Sequence, residues 1–122
     1  MNVRTMIVDD QPDIRELIRV LIELENGGLV VSCEAGSGQE ALAILESCKP
    51  NVVVLDEMMP GMNGIEVATH IAERRPGQPV ILCSAYLDEE VRSRGELAGI
   101  AAFLHKDDIR ELPELVRGLA SA

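Results

Sequence analysis

The stretch Val52-Val53-Val54-Leu55-Asp56-Glu57-Met58-Met59-Pro60-Gly61-Met62-Asn63-Gly64 constrains the fold of this chain most. Four consecutive apolar residues, three of them β-branched, read as a strand buried on both faces, the pattern of a parallel sheet covered by helices. Pro60, Gly61, Asn63 and Gly64 then break the chain into a loop. Asp56 therefore falls at the carboxyl end of a buried strand, the end at which open α/β sheets place their ligands. A carboxylate on so rigid a support is the first candidate for a reactive group.

The rest of the chain repeats the alternation. Val3 to Val8 predicts a first strand ending in Asp9-Asp10. Pro12 suits the first position of a helix, in which Ile14, Leu17, Ile18, Leu21, Ile22 and Leu24 recur at helical spacing up to Gly27-Gly28. Leu29 to Ala35 reads as a second strand. Ser37-Gly38-Gln39-Glu40 is a capping-box pattern for a helix that buries Ala41, Leu42, Ile44 and Leu45 and ends at Lys49-Pro50. Asn63 caps a third helix running to about Arg74, with Ile65, Val67, Ala68 and Ile71 inward. Pro79 to Cys83 is a fourth strand ending at Ser84-Ala85, and Asp88 caps a fourth helix through Leu97. Ala101 to His105 is a fifth, short strand, followed by Lys106. Pro113 fits only the first turn of a last helix, which places that helix's start near Ile109 to Leu112. Five strands alternating with five helices predict a doubly wound α/β fold with a parallel sheet.

The chain of 122 residues suits one domain with a sizeable core, spanning residues 1–122. Its net charge of −10 argues against direct nucleic-acid binding, which needs a basic footprint. No apolar run is long enough to span a membrane. Cys33, Cys48 and Cys83 are odd in number and not tightly spaced, and there is no signal peptide, so the sequence predicts reduced thiols in the cytoplasm. Cys33 and Cys83 fall inside strands, where packing is the expected role.

Carboxyl ends of parallel strands lie side by side, so residues distant in sequence meet there. Strand one brings Asp9 and Asp10, strand three Asp56, strand four Ser84, and Lys106 follows strand five. Taken singly, each has a plain reading: a helix cap, a loop-starting aspartate, a turn hydroxyl, a solvated lysine. Taken together they form a site. Three carboxylates repel one another unless a cation joins them, and an all-oxygen site suits Mg²⁺, with Mn²⁺ the alternative. A metal, a carboxylate nucleophile, a hydroxyl and an ammonium are what phosphoryl transfer to an aspartate requires.

Asp9-Asp10, Asp56-x-x-Met59-Pro60-x-x-x-Gly64, Ser84-Ala85 and Phe103-Leu104-His105-Lys106, in this order and spacing, resemble the receiver domain of two-component response regulators over essentially the whole chain. The resemblance implies a flavodoxin-like sheet of strand order 2-1-3-4-5. It implies that Asp56 accepts a phosphoryl group from the phosphohistidine of a sensor kinase or phosphotransfer protein. Asp10 and Asp56 would bind Mg²⁺ by their side chains and Met58 by its carbonyl, with Asp9 acting through water. Lys106 would pair with the phosphoryl group. Ser84 and the amide of Ala85 would hydrogen-bond to it, with Glu57 and Met58 as its neighbours. Phe103 occupies the family's aromatic switch position, beside its plain reading as core filling. The implied output is a changed surface on helix four, strand five and helix five. That surface would act on a downstream protein, a fused output domain or a second copy, through exposed charges such as Arg92, Arg94, Arg110, Glu114 and Arg117. The implied domain is a regulatory one rather than an enzyme, catalysing only its own phosphoryl transfer and slow dephosphorylation.

Three features vary the family pattern. Glu57 follows the acceptor where an apolar residue is usual. Asp107 follows Lys106 where proline is common, which disfavours a cis peptide there. Met58 and Tyr86 are bulky at positions that influence hydrolysis of the acyl phosphate. Three rival readings share parts of this pattern. A hydrolase forming an aspartyl phosphate would carry Asp-x-Asp after its first strand and a cap domain. An FMN carrier would have a phosphate loop rich in Ser, Thr and Gly, where this chain has Asp9-Asp10-Gln11-Pro12-Asp13. A receiver signalling by protein contacts alone is the third. With the chain ending soon after the last helix, a stand-alone receiver and the excised receiver of a longer regulator are both expected forms.

Overall fold

Each apolar run becomes a strand of one parallel sheet. In the computed structural model, which describes residues 2–25 and 27–121, the strands are β1 (Val3–Val8), β2 (Leu29–Ala35), β3 (Val52–Leu55), β4 (Val80–Ser84) and β5 (Ala102–His105). They lie in the order β2-β1-β3-β4-β5, every pairing parallel. Helices α1 (Pro12–Glu23), α2 (Gly38–Cys48), α3 (Gly64–Arg74), α4 (Glu89–Leu97) and α5 (Leu112–Ala120) alternate with them, and a 3-10 turn over Lys106–Glu111 precedes α5. The expected architecture and strand order are those observed.

Two apolar layers sandwich the sheet. Ile7, Val52, Val54 and Ile81 face α1 and α5, against Ile18, Ile22, Leu112 and Val116. Met6, Val8, Val53, Leu55 and Leu82 face the other side, against Leu45, Val67, Ala68 and Ile71 of α2 and α3. Alternate residues of β3 thus enter opposite layers, which is why that strand reads as an unbroken apolar run. At about 25 cal/mol per Å² of apolar surface removed from water, each such aliphatic side chain stabilises the fold by roughly 1.5–3 kcal/mol.

Helix starts follow local chemistry. The Ser37 hydroxyl accepts from the Glu40 amide at 3.1 Å, and Lys49 closes α2 in the left-handed conformation. Asn63 and Glu66 complete a reciprocal capping box at α3. Asp88 accepts from the Val91 amide at 2.8 Å to start α4. α1 begins on Pro12 with no side-chain cap, and its apolar stripe is narrower than its sequence suggests. Ile18 and Ile22 are buried, while Leu17 and Leu24 lie on the solvent flank, Leu24 at 74% exposure.

The cysteine expectation is corrected. Cys33 and Cys48 form a disulfide, and only Cys83 is free, buried in β4. A bulge in β2 is responsible. Thr5 pairs with Val31, but its neighbour Met6 pairs with Cys33, so Ser32 is an extra residue in the ladder. Leu29 and Val31 therefore pack on the α1–α5 layer, whereas Cys33 and Ala35 pack on the opposite one. The bulge turns Cys33 towards α2, whose last residue is Cys48.

Candidate functional site: an acidic rim at the ends of the strands

The rim is built by backbone pairing before any side chain acts. The Asp56 amide donates to the Val8 carbonyl at 3.0 Å, and the Asp9 amide to the Ala35 carbonyl at 3.1 Å. These two bonds set the ends of β2, β1 and β3 level, so Asp9 and Asp56 emerge together, both nearly fully buried. Carboxylate oxygens of Asp9, Asp10 and Asp56 lie within 4.8 Å of one another. Lys106 Nζ stands 3.1 Å from Asp9 Oδ2 and 3.4 Å from Asp56 Oδ2, bridging the pair. Asp9 Oδ1 accepts from the Gln11 amide at 2.9 Å, and Arg15 Nη1 donates to the Asp9 carbonyl at 2.6 Å. Asp56 Oδ1 is buried without a hydrogen-bond partner among the described residues. A buried carboxylate oxygen left bare is costly, and this one belongs to a cluster of three carboxylates.

Electrostatics at the rim follow from this crowding. Burial first, and then the charge of Asp9, push the Asp56 carboxyl above its ordinary range, against the opposing pull of Lys106. For Lys106, burial favours the neutral amine, but the carboxylates of Asp56 and Asp9 outweigh it and raise its pKa. The lysine therefore stays charged and leaves the cluster of three carboxylates only partly neutralised. Cys83 beneath the rim is pushed up to about 11 by burial, and remains a thiol.

The loop after β3 returns tightly over Asp56. A Cβ on Gly64 would lie 2.4 Å from the Asp56 carbonyl oxygen and 2.9 Å from Glu57 Cα, both backbone atoms that cannot yield. Glycine at 64 is thus a steric requirement of the rim. Glu57, for its part, is 6% exposed, and its carboxylate accepts from the Ile65 amide at 2.9 Å in the first turn of α3. Burial raises its pKa, with the helix amides pulling the other way. The acidic residue beside Asp56 is therefore engaged with a helix N-terminus, where negative charge is favoured.

A cleft of about 260 Å³ opens over the rim, lined by Asp10, Gln11, Asp56, Met58, Ser84, Ala85, Tyr86 and Lys106. Among the residues expected at the site, it unites Asp10, Asp56, Met58, Ser84, Ala85 and Lys106, with Asp9 behind them. Ser84 is fully buried, and its hydroxyl accepts from the Tyr86 amide at 3.2 Å. Met58 and Tyr86 stand exposed in the lining of the cleft. The Glu57 side chain and Phe103 do not line the cleft. Phe103 packs instead against α4, its ring filling the space where a Cβ on Gly95 would lie 2.7 Å away, with the Arg92 guanidinium 5.6 Å from the ring centroid. Sequence reasoning missed Gln11 and Arg15. The sequence carries no local signal for the latter, because Asp9 lies before α1 and six residues from Arg15.

A doubly wound sheet carries three clustered carboxylates and a lysine at its carboxyl edge. A family model described as the response regulator receiver domain matches residues 5–117. The chain belongs to that family. It is 33% identical over 121 residues to the transcriptional regulatory protein YxjL of Bacillus subtilis, covering 99% of this chain and 54% of that protein. It is 42% identical over 86 residues to the positive alginate biosynthesis regulatory protein of Pseudomonas aeruginosa, covering 70% of this chain and 34% of that protein. A signal receiver domain from Mycobacterium tuberculosis superposes with a TM-score of 0.91 at 33% identity, covering 99% of this chain and 98% of the other. The chain thus spans about half the length, or less, of these two curated relatives. Among the described residues, no helix is long and apolar enough to cross a membrane.

Proposed function

We propose that this chain is a cytoplasmic phospho-acceptor domain, one receiver over residues 1–122, that takes a phosphoryl group onto Asp56 and converts it into a change of surface. The observation that carries the reading is Asp56 Oδ1, a buried carboxylate oxygen with no partner among the described residues, beside Asp9, Asp10 and Lys106. That donor set, all oxygen and partly neutralised, fits Mg²⁺. Asp10, Asp56 and the Met58 carbonyl would hold the ion, with Asp9 acting through water. Bound there, it supplies positive charge for phosphoryl oxygens and offsets the repulsion of the carboxylates.

Asp56 attacks the phosphorus of a phosphohistidine on a sensor kinase or phosphotransfer protein. The phosphorus–nitrogen bond breaks as an acyl phosphate forms on Asp56. Lys106 moves its ammonium from Asp9 and Asp56 to a phosphoryl oxygen, and the Ala85 amide donates to another. The Ser84 hydroxyl, which accepts from Tyr86 at rest, turns to donate to the phosphoryl group. Glu57 acts at one remove, holding the acceptor loop to α3. Met58 and Tyr86 on the lips of the cleft slow the approach of hydrolytic water.

The signal is read on the face formed by α4, β5 and α5. Phe103 is its movable part, and lacking a hydroxyl it switches by packing alone. A groove of about 420 Å³ runs beside it between β5 and α5, bordered by Leu104, Leu115 and Leu119. A downstream protein, a fused output domain or a second copy of the chain is the partner for that face. Direct contact with nucleic acid is not part of the reading, in keeping with the net charge of −10.

Intact mass after incubation with acetyl phosphate and Mg²⁺ tests the reading. The native chain gains one phosphoryl group, the gain requires the metal, and Asp56→Asn gains none. Equal gain in Asp56→Asn would overturn it. No gain in the native chain, joined to an absence of Mg²⁺ binding by titration, would favour a receiver that signals by protein contacts alone.

A further inference from the structure

Away from the rim, the molecule holds a second reactive pair that phosphoryl transfer does not use. We propose that Cys33 and Cys48 are a reversible thiol–disulfide exchange site, closed by glutathione disulfide and opened by a dithiol reductant, which staples the last turn of α2 to the edge strand β2. The pair is bonded in the structure, with Cα atoms 6.3 Å apart, inside the span that a disulfide bridges without backbone movement. Cys33 reaches it only because Ser32 is bulged. Without that extra residue Cys33 would follow Leu29 and Val31 onto the α1–α5 face. Bulges that re-aim a side chain are specific features of a fold.

Both redox states are provided for. Both cysteines are half-buried, so a small thiol can reach them. When the bond opens, the Ser32 hydroxyl, 3.3 Å from Cys48 Sγ, is a ready hydrogen-bond partner for the freed thiol. Cys83 lies buried in β4 and takes no part. Opening begins when a thiolate of the reductant attacks one sulfur. A mixed disulfide forms and the other cysteine leaves as thiolate. The reductant's second thiol then displaces the first cysteine, so two electrons pass from the dithiol to the protein and the two protons end on Cys33 and Cys48. In the closing direction one cysteine thiolate attacks glutathione disulfide and expels glutathione. The second cysteine then expels the other glutathione, so the two released glutathione thiols together take up two electrons and the two cysteine protons.

The closed loop, of sequence separation 15, contains the start of α2 at Ser37-Gly38-Gln39. This segment packs on the β3–α3 loop and on α3, since a Cβ on Gly38 would meet Met62 and Val67, and one on Gly61 would meet Gln39. Closing the loop removes conformations from the unfolded chain. For a loop of this length the oxidised chain should melt about 10 °C above the reduced one.

The test equilibrates the full chain in buffers of graded glutathione to glutathione disulfide ratio. Samples are quenched in acid, alkylated with iodoacetamide under denaturing conditions and weighed intact. At the oxidising end one cysteine is labelled, mapped by peptide analysis to Cys83. At the reducing end all three are labelled, and dithiothreitol returns the oxidised chain to that state. Thermal melting of the two end states gives the shift, which Cys48→Ser abolishes and Cys83→Ala retains. Three labels throughout the series, a bridge that includes Cys83, a disulfide between chains, or equal melting midpoints would each overturn the proposal. None of these outcomes bears on the phospho-acceptor reading, which the mass gain at Asp56 tests separately.

Discussion

Helices α3 and α4 pack on the same face of the sheet and are held in opposite ways. α3 starts with a complete capping box and buries Gly64, Ile65, Val67, Ala68 and Ile71. α4 has the Asp88 cap, but among its residues only Gly95 is buried, and Leu97 at its end is 91% exposed. The difference divides labour. α3 anchors the loop that carries Asp56, through the Glu57 carboxylate and the close approach of Gly64, and so keeps that carboxylate in place. α4 rests on the sheet largely through Phe103 and the partly buried Leu87, Val91 and Ala98. An element with so few buried contacts opens locally at low free energy, which suits the switching surface proposed above.

The widest separation between the two helices should come from truncating one apolar residue in each. Ile71→Ala, in fully buried surroundings, should cost about 3 kcal/mol in urea unfolding, and Val91→Ala about 1 kcal/mol. Similar losses at both positions would break the contrast.

Gly95→Ala sharpens it further. In an exposed helix this change would stabilise by about 1 kcal/mol, but here the new methyl collides with the Phe103 ring, so a net loss of about 1.5 kcal/mol is expected. In a Phe103→Ala background the same substitution should become stabilising. A double-mutant cycle without that reversal would remove Gly95 as the seat of the ring.

The smallest effect concerns what α3 holds in place. The folded-state pKa of Asp56 is raised above its ordinary value of 3.8, so its ionisation opposes folding. Its contribution to stability is fully present below the unfolded value and is lost as pH rises through the folded one. Asp56→Asn escapes that loss. With chelator present, it should exceed the native chain in stability by about 1 kcal/mol at neutral pH, and the gap should close on acidification below pH 4. A mutant less stable than the native chain at neutral pH would contradict the raised pKa.

Much of this molecule was legible in its sequence. Strand and helix alternation, the caps at Ser37, Asn63 and Asp88, and Pro113 in the first turn of α5 all rest on local chemistry, so they survive without knowledge of the fold. The gathering of Asp9, Asp10, Asp56, Ser84 and Lys106 was legible too, because a parallel sheet brings its carboxyl ends to one edge whatever the details. Tertiary structure alone decided the rest. A single bulged residue reversed the alternation of β2 and paired Cys33 with Cys48, and periodicity cannot register one extra residue in a ladder. The Glu57 carboxylate went to α3 because the β3–α3 loop folds back on itself. Gly95, a weak point by helix propensity, proved to be the space for an aromatic ring from a strand eight residues on. Local sequence sets which segments are strands and helices; which side chains then touch depends on register and close approach, and those are settled only when the segments pack.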